Sequence, residues 1–173
     1  MVIISEKNSI ITVRDARIIH RNFAGEERKF NAAGRRNFNL ILSEEDAEKL
    51  SELGLNVRVR EPRDEFESPM HLLKVNVSYK IRPPKVVVIS NGVRTELTED
   101  TIDELDGADI EHLDLSFRPS HYKLFNGTEG MSAYLYSFYA TLYVDPLSAE
   151  YDAVSDEDEK ALVAEAFSED LPF

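Results

Sequence analysis

Two stretches of this chain alternate basic and aliphatic residues in a way that suits a polyanion. They are Val57-Arg58-Val59-Arg60 and the longer run 71–81, HLLKVNVSYKI. Side chains of a strand point to opposite faces with a period of two. Read so, Leu55, Val57 and Val59 share one face of the first run, and Arg58 and Arg60 the other. In the second run Leu73, Val75, Val77, Tyr79 and Ile81 face one way, and Lys74, Asn76, Ser78 and Lys80 face the other. If the two strands pair, four cations share one surface, with an amide and a hydroxyl between them. Such a surface can follow a phosphate backbone, with hydroxyl and amide groups adding hydrogen bonds. Any half-exposed sheet shows the same alternation, so solvated polar positions explain the pattern equally well by themselves.

Neighbouring loops add cations and aromatics. Arg28, Lys29, Phe30, Arg35 and Arg36 interleave both types in the polar loop 21–35 and at its junction with the next strand, and Arg82 and Lys85 bracket Pro83-Pro84. An exposed aromatic that stacks one base contributes roughly 1–3 kcal/mol and tolerates any base. Phe30, Tyr122 and Phe125 lie in polar loops and are the expected stackers, whereas Phe38 and Tyr79 sit on apolar faces and are assigned to the core. The last strand, 131–144, is rich in aromatics. Its even face (Tyr134, Tyr136, Phe138, Ala140, Leu142, Val144) is apolar and is also assigned to the core. Its odd face carries Tyr139 and Tyr143, available to bases or to a second subunit, which allows a homodimer.

These groups need a β scaffold. Strands are expected at 9–20, 36–42, 55–61, 71–81, 86–89, 109–118 and 131–144. Ser43 caps a helix whose first turn holds Glu44, Glu45 and Asp46, and Gly54 stops it. Asn91-Gly92 reads as a hairpin turn, and Thr98 as the cap of a short acidic helix ending near Gly107. Some seven strands with one or two short helices make a mainly β protein. Its best match is an OB-fold-like Greek-key barrel with additional strands; another sandwich stays open.

Composition removes several chemistries. No cysteine is present, so thiol nucleophiles, zinc ribbons and disulfides are excluded. The four histidines are scattered, and no phosphate-binding glycine loop or nucleophile–base pair is found. The carboxylates Glu99, Asp100, Asp103, Glu104, Asp106 and Asp109 read as a solvated helix face rather than a nuclease metal site. No metal, no cofactor and no enzymatic activity are expected. Without an apolar run of spanning length or a leader-like start, the chain is expected to be soluble and cytoplasmic, with no membrane partner. The net charge is −13 but uneven. Residues 1–89 hold 16 Lys/Arg against 13 Asp/Glu, residues 90–149 hold 3 against 11, and residues 150–173 hold 1 against 9. The total therefore says little about the first half, and the sign asymmetry suggests a folded body with an interaction tail.

That tail ends in Ser168-Glu169-Asp170-Leu171-Pro172-Phe173 after an acidic run. It is similar to the tail of bacterial single-stranded DNA-binding proteins. The resemblance implies that Phe173 and Pro172 anchor in an apolar pocket of replication and repair proteins, with Leu171 in the aliphatic position. Glu169 and Asp170 would then meet a basic rim. The body resembles phage-encoded single-stranded DNA-binding proteins in the stretches 34–42, 57–65, 71–86, 108–119 and 130–145. The strand motifs of the cellular bacterial family find no place here, so its tetramer is not implied. The resulting expectation is a sequence-nonspecific single-stranded DNA-binding domain at 1–149 and a partner-binding tail at 150–173. It would protect DNA in phage replication, recombination and repair. Two alternatives remain: an acidic interaction module or DNA mimic, and a metal-dependent nuclease.

Overall fold

The computed structural model describes residues 2–5 and 9–152. Among the described residues ten strands form one sheet: β1 Val2–Ile4, β2 Ile11–Val13, β3 Arg17–Asn22, β4 Arg36–Leu42, β5 Val57–Arg60, β6 Met70–Val77, β7 Lys85–Ser90, β8 Val93–Leu97, β9 Ile110–Lys123 and β10 Glu129–Leu142. Helix α1 spans Glu44–Glu52, a 3-10 helix spans Ile102–Asp106, and α2 spans Pro146–Asp152. The main path of neighbours runs β1-β2-β9-β10-β6-β4-β3, with β5 on β6 and β7–β8 on β10. β10 is antiparallel to β9 and parallel to both β6 and β7. The mainly β class with added strands and short helices is the expected one, and it is consistent with a partly open, OB-like barrel.

The sheet curls because one segment serves both ends of it. β2 pairs with β9, and the Ala16 amide continues that edge by donating to the Leu113 carbonyl at 2.7 Å. After the three intervening residues Arg14–Ala16, β3 pairs with β4 at the other end of the path. The break at Arg14–Ala16, with Asp15 at φ 50°, explains why 9–20 alternates poorly in the sequence. Inside the curl Phe23, Phe38 and Phe138 meet with ring centroids 5.3–6.0 Å apart, all three fully buried. Each such ring contributes about 1.5–3 kcal/mol through burial. The 3-10 helix closes one end with Ile102 and Leu105 buried. The Asp106 carboxylate accepts the Phe23 and Ala24 amides, and Arg21 donates to the Leu105 and Ala108 carbonyls.

Local signals decide the connections. Ser43 accepts the Asp46 amide as the N-cap of α1, and Asn91 and Gly92, both at positive φ, form the β7–β8 turn. Several boundaries differ from expectation. Thr98 is not the cap: the N-cap position of the 3-10 helix is Thr101, which makes no side-chain cap bond. β6 ends at Val77, opposite Arg36, the first residue of its partner β4, so Ile81 leaves the core and is almost fully exposed. Val59 is exposed as well, on a four-residue edge strand. The expected tail contacts Glu169, Asp170, Leu171, Pro172 and Phe173 lie outside the described residues.

Candidate nucleic-acid interface

The outer face of β6, β10 and β9 carries the site. Along one row the register aligns Asn37 of β4, Asn76 of β6, Tyr134 of β10 and Arg118 of β9. The adjacent row places Asn39 beside Lys74. Inward from this face lie Phe38, Val75, Ala133 and Phe117, which fix the strands from beneath. A cleft of about 900 Å³ runs over the surface. Six cations line it: Arg35, Arg36, Lys74, Lys80, Arg82 and Arg118. Ser78, Ser120, Ser132 and Asn76 add hydrogen-bonding groups, and Tyr134 and Tyr136 add aromatic surface. No acidic side chain lines the cleft among the described residues.

The two tyrosines correct the expected core assignment. A β-bulge sits between Leu135 and Ser137, where Ser116 and Ser137 share a hydroxyl hydrogen bond. An extra residue in one strand reverses the facing of everything beyond it. Before the bulge Ala133 and Leu135 point inward; after it Phe138 and Ala140 do. Tyr134 and Tyr136 therefore stand outward, 40% and 45% exposed. The Arg118 guanidinium lies 5.2 Å from the Tyr136 ring centroid, so a cation and a stacking face are already ordered together.

One wall of the cleft is held from behind. Arg36 lies over the Tyr79 ring, 5.8 Å from its centroid, and its Nη1 reaches Glu99 Oε1 at 3.3 Å. Burial pushes the Tyr79 phenol above its ordinary pKa, against the lowering effect of the Arg36 charge. Tyr79 is thus half-buried and packed against the core, as expected, and it also supports a cation. Among the described cleft cations Arg36 alone has a carboxylate within ion-pair distance.

Of the residues singled out in the sequence, Arg35, Arg36, Lys74, Lys80 and Arg82 meet in this cleft. Arg58 and Tyr122 line a second, smaller one beside it. Arg60 shares the face of Arg58, opposite Met70, but lines neither cleft, and neither does Lys85 at the start of β7. Arg28 is tied to Glu26 and to the Arg21 carbonyl, and Lys29 lies over the Phe30 ring in the same exposed loop. Phe30 and Phe125 are almost wholly exposed and line neither cleft. Tyr134, Tyr136 and Arg118 were not anticipated from the sequence as site residues. Arg118 lay at the expected end of a strand, just before Pro119, but β9 continues to Lys123.

A family model described as "Putative phage ssDNA-binding domain" matches residues 3–171. No curated protein sequence matches the chain. Two solved structures of one phage protein are similar in fold. The single-stranded DNA-binding protein from bacteriophage Enc34 in complex with ssDNA aligns with a TM-score of 0.50 and 15% identity, over 79% of this chain and 88% of that one. A second structure of the bacteriophage Enc34 protein aligns with a TM-score of 0.50 and 12% identity, over 92% of this chain and 99% of that one.

Proposed function

We propose that this chain, which belongs to the phage single-stranded DNA-binding family, holds unpaired DNA in the larger cleft without regard to sequence. Lys74, Arg118, Lys80, Arg82, Arg35 and Arg36 take phosphates, and Tyr134 and Tyr136 stack bases. The observation that carries this is the gathering of six cations and two exposed tyrosines in one acid-free cleft. Phosphate contacts give affinity that falls with salt, and stacking tolerates any base. The loop bearing Arg28, Lys29 and Phe30, and the hairpin tip bearing Phe125, flank the track taken by longer strands. The chain works by binding rather than catalysis. Among the described residues no three His, Asp or Glu side chains are grouped to hold a metal ion, and no helix is long and apolar enough to cross a membrane. Titration of oligo-dT at two salt concentrations tests the reading. Affinity must be present and must fall with salt; an acidic mimic would show neither.

Residues 150–173 form the second functional unit of this proposal. The terminal Leu171-Pro172-Phe173, behind Glu169 and Asp170, recruits host or phage replication, recombination and repair proteins in the cytoplasm of the infected cell. A polyanionic segment on the same chain also competes with DNA for the cleft. Removing residues 150–173 should tighten binding at low salt and matter less at high salt. Unchanged or weaker binding by a folded truncation would rule that competition out.

A further inference from the structure

Beside the main cleft, and sharing Lys74, Asn76 and Ser132 with it, lies a recess of about 100 Å³. It sits where β6 changes neighbours. Val75 and Asn76 pair with Ala133 and Tyr134 of β10, but Leu73 pairs with Val57 of β5. The segment just before β5 meets β10 at the isolated Leu55–Met131 bridge. The fork leaves a slot floored by the buried Leu73 and Ala133. Its rim holds Arg58 and Asn56 on one side, with Tyr122 and Met131 also lining it.

We infer that this recess is a single-base subsite, taking one nucleobase from a strand that lies in the larger cleft; the inference rests on that reading of the cleft. The size admits one planar ring system and not two. Met131 offers a polarizable thioether and Tyr122 an aromatic ring, both good partners for the faces of a base. Asn56, Asn76 and Ser132 supply hydrogen-bonding groups for a base edge or sugar. Arg58 and Lys74 are the cations for the phosphate that carries it.

Gly130 explains why the wall is firm. It is the register partner of Tyr122, and a side chain built on it would collide with the Tyr122 hydroxyl and ring. The tyrosine therefore lies across the bare backbone of β10, where any Cβ would displace it. A cross-strand aromatic covering a glycine is a known means of ordering both. Here it sets the ring at the edge of a base-sized slot that continues a cationic track.

The test uses the full-length chain and oligo-dT of increasing length at one salt concentration. Wild type should gain affinity in one step when the strand becomes long enough to reach the slot. Tyr122→Ala and Gly130→Ala should lose roughly 5- to 100-fold, the equivalent of one stacked base, for oligonucleotides beyond that length and nothing below it. Tyr122→Phe should retain the step. An abasic residue at the reaching position should weaken wild type by the same factor and leave Tyr122→Ala unaffected. In wild type, 2-aminopurine scanned along the oligonucleotide should be quenched most strongly at that position, a readout that needs no variant. Equal loss at all lengths, no loss in Tyr122→Ala, or an abasic penalty that persists in that variant would each overturn the subsite while leaving the main cleft standing. Absence of binding by wild type at every length would instead overturn the cleft itself.

Discussion

Replacing Arg118 by Ala isolates one phosphate contact in the main cleft. The side chain stands outward from β9 opposite Tyr134, and its guanidinium lies 5.2 Å from the Tyr136 ring centroid. A unit charge pair at 4 Å is worth about 1 kcal/mol in bulk water and about 4 kcal/mol at an effective dielectric constant of 20. Arg118 is half-buried in an open cleft, so the lower part of that range applies. A loss of about 1–2 kcal/mol, roughly 5- to 30-fold in Kd, is expected at low salt. Losing one neutralised phosphate of a single strand should also reduce the slope of log K against log salt by about 0.7. Fluorescence anisotropy with labelled oligo-dT at four salt concentrations gives both quantities. Arg118→Lys keeps the charge but not the planar stack on Tyr136, so its slope should match wild type while its affinity falls by a smaller factor. A wild-type slope in Arg118→Ala, measured on protein with an unchanged melting temperature, would refute the placement of a phosphate beside Tyr136.

Three further outcomes are expected. Tyr134→Ala and Tyr136→Ala should each weaken oligo-dT binding by roughly 1–3 kcal/mol with little change in salt slope, seen in the same anisotropy assay; an unchanged Kd in both would place the bases elsewhere. Glu99→Gln, which frees Arg36 from its one carboxylate, should tighten binding several-fold at low salt and steepen the slope, and weaker binding would mean that Glu99 orients Arg36 for the strand. Burial pushes the Asp114 carboxyl up, but the Asp15 amide, His112 and Arg14 outweigh it and hold it below its ordinary value. Its contribution to stability is therefore present above the unfolded carboxyl pKa and lost as pH falls through the folded one. Melting temperatures followed from neutral to acid pH should drop less steeply in Asp114→Asn than in wild type, and parallel curves would remove Asp114 from the acid transition.

Much of the scaffold could be read from residue order because local chemistry fixed it. Ser43 and the acids after it set the start of α1, and Asn91-Gly92 set a turn that only positive φ permits. The alternation through Leu73, Val75 and Val77 placed Lys74 and Asn76 outward, where they line the cleft. The misreadings share a cause: pairing partners decided what periodicity alone could not. Ile81 continues the alternation of β6, but pairing with β4 stops at Val77, opposite the first residue of β4, and Ile81 is left exposed. Tyr134 and Tyr136 continue the apolar face of Phe138 and Ala140, but the bulge opposite Ser116 turns them to solvent. One clue was present in composition, since a tyrosine pair carries hydroxyls that a closed core must satisfy. Arg118 was hidden for a different reason. Pro119 looked like a strand end, yet β9 runs on through it along an edge that β2 covers only at Leu115–Phe117.

The central claim is that unpaired DNA lies on the outer face of β6, β10 and β9. Photocrosslinking of the full-length chain to oligonucleotides carrying 5-iododeoxyuridine, with mass-spectrometric mapping of the attached peptide, tests it most directly. Crosslinks should concentrate on Tyr134 and Tyr136. Crosslinks confined to Phe30 or Phe125, with none on the two tyrosines, would contradict it.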